Sequence, residues 1–216
     1  MELADRLLDD LISSAIASED ELLNKASTVL YDWDRCANND SKGAILFKKW
    51  VDAVGFKIDN SELFKIPWDE TNPIKTPYGI KNIEFALEKL KSVALDVIDK
   101  YDSLNVAWGD VYRIIIDDID LPSNGGPGDP YGIFRVTGYK PIKDNRYAAI
   151  GGDSFQAIVE FSNPLKALVS IGYGNASQKN SMYRSNQAEF YSQKKLRQAW
   201  RTRKEIEQNL SFEEKF

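Results

Sequence analysis

The chain is 216 residues long, 43% hydrophobic and 28% charged, with a net charge of −5. That length permits one large or two small domains with a substantial core, and the acidic balance argues against a general nucleic-acid binder, which needs a dominant basic surface. With no histidine and a single cysteine, Cys36, the chain can build no Ser-His-Asp or Cys-His arrangement, no histidine-containing zinc site and no internal disulfide.

The first half reads as helical. Leu3, Leu7, Leu8, Leu11, Ile12 and Ala15 recur at three- and four-residue spacing and predict one apolar stripe on an acidic helix. Glu2, Asp5, Asp9 and Asp10 make this N-terminus unlike a signal peptide. Ser18 with Glu21 fits a capping box and predicts a second helix through Leu22, Leu23, Ala26, Val29 and Leu30. Asp40-Ser41 is expected to cap a third, carrying Ala44, Ile45, Phe47, Trp50, Val51 and Val54 and ended by Gly55. Pro67, Pro73 and Pro77 predict an irregular connection from Lys65 to Gly79. A long helix follows, from Ile83, Leu87, Leu90, Val93, Ala94, Val97, Ile98 and Tyr101. No apolar run reaches the roughly 18 residues that cross a bilayer.

After Leu104 the pattern changes to strand. Val106 to Asp117 is rich in aliphatic and aromatic residues, with the β-branched triplet Ile114 to Ile116. A glycine and proline cluster from Leu121 to Gly132 predicts a turn, and Ile133, Phe134, Val136 and Tyr139 a second strand. Tyr147 to Ile150, Phe155 to Phe161 and Ala167 to Tyr173 supply three more. Ser162-Asn163-Pro164 is the expected hairpin between the last two, making them antiparallel neighbours. Asn186 to Trp200 reads as a helix, and Thr202 with Glu205 as the cap of a short final one. Helices first and a meander of strands second predict an α+β fold, with a helical lobe over 1–104 and a strand region with C-terminal helices over 105–216.

Several segments in order carry a family likeness. They are Asp32-Trp33-Asp34, Asn39 to Ala44, Thr76-Pro77-Tyr78-Gly79-Ile80, Trp108-Gly109-Asp110, Leu121 to Gly126 and Gly151-Gly152-Asp153-Ser154-Phe155. With the stretch from Gly151 to Lys204, they resemble the C-terminal end of the β-chain of penicillin acylases and their acyl-homoserine-lactone and cephalosporin acylase relatives, which are N-terminal nucleophile hydrolases. The resemblance implies an αββα sandwich, incomplete in this chain. It also implies hydrolysis of the amide of an N-acylated amine, such as a β-lactam antibiotic or a quorum-sensing acyl-homoserine lactone. Such enzymes attack with the side chain of a residue freed by self-cleavage, using its own α-amino group as base. This chain begins Met1-Glu2-Leu3, so the nucleophile serine is expected outside it, with the oxyanion-hole residues and the family's calcium ligands; no cofactor is expected within it. The implied partners are the rest of the precursor, meaning the α-chain and the N-terminal part of the β-chain, and a small acylated amine. Neither nucleic acid nor membrane is expected, and the implied location is periplasmic or secreted. The isolated chain is expected to be inactive and open to self-association. The alternative is a non-catalytic binding or assembly module derived from this fold.

One residue carries a possible role over from the family. Alternation from Phe155 to Phe161 sets Gln156, Ile158 and Glu160 on one face. A mid-strand carboxylate is costly to bury without a partner, and Glu160 best resembles the late β-chain glutamate that orients a histidine near the nucleophile in cephalosporin-acylase-like relatives. The bland alternative is that Glu160 faces solvent on a half-exposed sheet, or pairs with a nearby Arg or Lys for structural reasons alone. Elsewhere, Gly172 to Ser177 lacks the last glycine and the βαβ context of a dinucleotide loop. Gly125-Gly126-Pro127-Gly128 lacks the donors of a phosphate loop. Asp117, Asp118 and Asp120 read as a solvated strand end rather than a calcium loop. Lys194, Lys195, Arg197, Arg201, Arg203 and Lys204 read as a basic helix pairing with acidic neighbours. The five tryptophans read as core or interface anchors.

Overall fold

The computed structural model describes residues 1–56, 62–128, 131–210 and 212–213. The chain divides into two compact units, Met1–Gly152 and Asp153–Phe216, and its mixture of helices and sheets is α+β. Among the described residues no helix is long and apolar enough to cross a membrane.

In the first unit, helix α1 (Glu2–Ala17) buries Leu3, Leu7, Leu8, Leu11, Ile12 and Ala15, the stripe its spacing predicts. Helix α2 (Glu21–Tyr31) starts two residues later than expected. Its N-cap is Asp20, whose Oδ1 accepts from the backbone N–H groups of Leu22 at 2.9 Å and Leu23 at 3.1 Å, while the Ser18 hydroxyl turns back to donate to the carbonyl of Ala15. An aspartate satisfies these orphan donors and adds negative charge at the positive end of the helix. Helix α3 (Ala44–Ala53) is likewise not capped by Asp40-Ser41; its N-cap is Gly43, at φ +97°. A Cβ there would lie 2.7 Å from Cβ of Trp33, so both the backbone angle and the space call for glycine. Gly55, at φ +68°, follows the end of α3 as expected.

The irregular connection is bounded by two short strands that the periodicity does not reveal, β1 (Phe64–Ile66) and β2 (Tyr78–Ile80), paired antiparallel with Phe64 opposite Ile80. Three-residue strands are too short for a period-2 pattern to register. Helix α4 (Ile83–Tyr101) runs where predicted and buries Ala86, Leu90, Val93, Ala94 and Val97, though Ile98 is exposed. The expected strand from Val106 instead opens with one helical turn, α5 (Trp108–Val111), before β3 (Tyr112–Ile116). Backbone hydrogen bonds from Trp108 to Ser41 O and from Gly109 to Asn39 O pin that turn. Strands β4 (Ile119–Pro122), β5 (Thr137–Pro141) and β6 (Tyr147–Gly152) complete a four-stranded sheet in the order β4-β3-β6-β5.

This sheet is no simple meander, because β3 and β6 pair in parallel, with Tyr112 opposite Tyr147. Strand β5 starts later than expected. Gly126 donates to Arg135 O and accepts from Thr137 N, so residues 133–136 run beside the glycine-rich loop instead. Residues 129 and 130 of the expected turn lie outside the described residues. Helices and sheet share one core, in which Leu7, Leu11, Phe47, Trp50, Leu90, Trp108, Val111, Tyr112 and Tyr131 are buried together.

The second unit holds β7 (Phe155–Glu160), β8 (Lys166–Ile171), α6 (Ala188–Ser192), β9 (Arg197–Gln198) and α7 (Arg203–Gln208), with the sheet order β7-β8-β9. The predicted helix over 186–200 is thus only five residues long. Lys194, at φ +55°, turns the chain out of it, and β9 then takes up the open edge of β8, with Val169 opposite Arg197. The basic residues from Lys194 to Lys204 therefore share no helix face. The Thr202–Glu205 capping box of α7 is present as predicted.

Trp50 is fully buried, lies 5.9 Å from the ring of Phe47 and donates Nε1–H to Ala86 O at 3.0 Å, tying α3 to α4. Trp50→Ala is expected to lower stability by about 3–5 kcal/mol, read as a shift of the urea unfolding midpoint; a change below about 1 kcal/mol would mean that this contact does not hold the helices together.

Candidate functional site

The one sequence-predicted site residue, Glu160, stands at the end of β7. The β7–β8 hairpin is in perfect antiparallel register, from Phe155 opposite Ile171 to Glu160 opposite Lys166. Residues directly opposite share a face, so one face carries the pairs Glu160–Lys166, Ile158–Leu168 and Gln156–Ser170, and the other Phe155–Ile171, Ala157–Val169 and Val159–Ala167. The carboxylate of Glu160 accepts from Lys166 Nζ at 3.3 Å through Oε1 and at 3.5 Å through Oε2. Both side chains remain well exposed, 59% for Glu160 and 67% for Lys166. Glu160 is thus not buried; it faces solvent and pairs with a lysine of the neighbouring strand, an arrangement that the bland alternative also describes.

Neither face of this hairpin is covered as a sheet face ordinarily is. Phe155 and Val159 are exposed on one side, Ile158 (58%) and Leu168 on the other, and Phe161, just past the strand, is 90% exposed. Among the described residues β7 is also an edge strand of its sheet. The far end of the glutamate face is closed: Ser170 is 3% exposed, and its buried hydroxyl has no hydrogen-bond partner among the described residues. Beyond β8, Gly174 lies so close to Tyr183 O that a Cβ would stand 2.0 Å from it, and Gln187 N donates to Tyr173 O. The Gly172 to Ser177 segment is therefore a strand end and turn folded against its own chain. Tyr191 buries its ring and donates its hydroxyl to Asp153 O at 2.8 Å, and burial, with the nearby Tyr191, pushes the Tyr173 phenol up.

The other sequence candidates hold structure. In the glycine-rich loop, Gly125 N donates to Ala37 O, Gly126 N to Arg135 O and Gly128 N to Gly126 O, leaving no cradle of free donors for a phosphate. Sequence reasoning passed over the polar node that fixes this loop. Asn124 is fully buried and accepts from Arg135 through Oδ1, and the Tyr139 hydroxyl lies 2.9 Å from Ser123 Oγ and 3.0 Å from Gly125 O. The only available hint is a Ser-Asn pair beside glycines and aromatics, a common turn composition. Asp34 likewise accepts from Ser41 Oγ at 2.9 Å and Cys36 N at 3.0 Å. Trp33, Trp50 and Trp108 are core residues, while Trp68 and Trp200 are half exposed. Among the described residues no group of three or more His, Cys, Asp or Glu side chains is placed to hold a metal ion.

The penicillin amidase family model matches residues 1–208. The chain belongs to the penicillin amidase family. Among curated proteins it is similar to the acyl-homoserine lactone acylase PvdQ of Pseudomonas syringae pv. syringae (strain B728a), 24% identical over 220 residues, which is 97% of this chain and 28% of that protein. This penicillin amidase family chain thus spans 28% of the length of the relative it matches.

In the acidic segment of this family member, Asp120 binds Arg113 Nε at 2.6 Å and Arg146 Nη1 at 2.9 Å. Burial works to raise its carboxyl pKa, but the hydrogen bonds from the two guanidinium groups outweigh it and hold Asp120 below the ordinary aspartate value. A depressed folded-state pKa gives stability that is present above the unfolded value and lost as the pH falls through the folded one. Asp120→Asn is therefore expected to destabilise the chain at pH 7, with the gap to the parent narrowing as the pH drops below about 3.9. Urea midpoints of both proteins across that range measure the gap; a difference independent of pH would assign the effect to something other than the ionised carboxylate.

Proposed function

We propose that this chain is the rear part of an amidohydrolase of the penicillin amidase type, acting on the amide of an N-acylated amine such as a β-lactam antibiotic or an acyl-homoserine lactone. On this reading an N-terminal serine outside the chain attacks the amide carbonyl, with its α-amino group as base. An acyl-enzyme forms and the amine leaves, and water then releases the acid. Two sheets between helical layers would form the complete αββα body, working in the periplasm or outside the cell. The chain supplies the helical unit as scaffold and the β7–β8 hairpin as part of the sandwich, with Glu160 as the carboxylate that orients a group beside the nucleophile.

The observation that carries this reading is the hairpin with apolar side chains exposed on both faces and a carboxylate standing among them. A sheet so placed suits the middle of a larger body better than a surface. The family membership and the acylase named above support the reaction class. A second reading, a binding or assembly module without catalysis, is favoured by the fact that Glu160 already has a partner in Lys166.

The full coding sequence separates the two. Glu160→Gln in the complete enzyme is expected to lower kcat for hydrolysis of an N-acylated amine by on the order of 10²- to 10⁴-fold, as loss of an orienting carboxylate does, with KM little changed. The 216-residue chain by itself is expected to give no turnover. Unchanged kcat in the variant would remove Glu160 from the mechanism, and turnover by the isolated chain would place a nucleophile within it.

A further inference from the structure

Lys166 meets Glu160 as the last register pair of the β7–β8 hairpin, with its ammonium within 3.5 Å of both carboxylate oxygens. We propose that Lys166 is a positioning residue for Glu160, and that the pair acts as one unit in the acylase reaction; this rests on the orienting role assigned to Glu160 above. The pair stands at one end of a largely apolar face. Its next register step is Ile158 opposite Leu168, both apolar and exposed, and the step after that ends in the buried hydroxyl of Ser170. A face of this composition is built to be covered. Where it is covered, an ion pair loses its water.

Exposed, such a pair contributes about 0–1 kcal/mol, and its two long side chains wander. Desolvated, it becomes directional. An uncompensated carboxylate would be strongly unfavourable there, so the cation that stays with it also fixes where its oxygens point. Register makes the choice of partner a property of the backbone. The six pairs from Phe155–Ile171 to Glu160–Lys166 leave no other residue opposite Glu160, and among the described residues no other salt bridge to Glu160 occurs. One carboxylate oxygen can then turn to the group it orients while the other stays with Lys166. A strand-borne ammonium is better suited to this than a loop residue, because the neighbouring ladder bonds fix its Cα.

The test uses the complete enzyme and four variants, Lys166→Met, Lys166→Arg, Glu160→Gln and the double Glu160→Gln/Lys166→Met, with kcat and KM measured for an N-acylated amine. Lys166→Met is expected to lower kcat about 10-fold or more with KM nearly unchanged, Lys166→Arg to recover most of that loss, and the double variant to be no slower than Glu160→Gln, since groups acting as one unit are non-additive. If the methionine variant does not mature, Lys166→Gln, which keeps a polar end without the charge, gives the same comparison. A large loss in Glu160→Gln with none in Lys166→Met overturns this proposal and leaves the role of Glu160 standing, and so does a multiplicative loss in the double variant. Full activity in Glu160→Gln overturns both.

Discussion

A β-sheet that carries apolar side chains on both faces needs cover on both, because each exposed aliphatic or aromatic group forgoes the roughly 25 cal/mol per Å² that burial contributes. The two units of this chain meet that requirement differently. In the first, the four-stranded sheet turns Tyr112 and Ile114 inward, and Trp108 stacks on Tyr112 at 4.0 Å, in a core shared with α1, α3 and α4. In the second, the β7–β8 hairpin has six register pairs but few side chains large enough to cover it: α6 is five residues long, and α7 buries nothing. The folded order of this hairpin comes from its ladder and its turn, while Phe155, Ile158, Val159 and Leu168 stay exposed.

The same contrast governs the charges. Three carboxylates in the first unit are held by more than one partner: Asp120 between two arginines, Asp34 by a hydroxyl and a backbone N–H, and Asp52 by the Tyr131 hydroxyl at 2.6 Å and Lys48 at 2.7 Å. Burial raises the phenol pKa of Tyr131, and its hydrogen bond to Asp52 adds to the shift, so this donor stays protonated at any ordinary pH. These groups have no spare capacity for a reaction. Glu160, like Glu21, Glu62 and Glu88, pairs with a lysine at an exposed site; what distinguishes it is its place among exposed apolar side chains on a two-faced hairpin.

The long elements were legible because repetition averages out local noise. α1 and α4 hold their stripes over four or more turns, and β7 and β8 are long enough, with Ser162-Asn163-Pro164 between them, to fix their antiparallel pairing. What the sequence hid depends on partners distant along the chain. The turn α5 exists because Ser41 and Asn39 offer carbonyls to Trp108 and Gly109. β9 exists because β8 leaves an edge free, so a segment with helical composition, Lys194 to Trp200, becomes strand and turn instead; tertiary context overrides propensity there. Cap positions moved by two residues, from Ser18 to Asp20 and from Ser41 to Gly43, for a similar reason: at Ser18 and Ser41 the hydroxyl found a nearer partner. The position of Glu160 could be read from alternation, but its pairing with Lys166 needed the register, which a single strand does not disclose.

A carboxylate that orients a catalytic group does so by holding one oxygen still while the other serves, and in the proposed enzyme a histidine so oriented would come from outside this histidine-free chain. The hairpin is suited to such an arrangement because its rigidity is intrinsic. Its register is set by backbone pairing over six residue pairs, and a one-residue slip would exchange the Ile158 and Val159 faces and send Glu160 to the wrong side. Because both faces are apolar and exposed, it is the ladder and the turn, not a difference between the faces, that hold Glu160 on its side. In the proposed enzyme the apolar side chains would draw cover onto the sheet, and the ladder would decide where Glu160 stands beneath it.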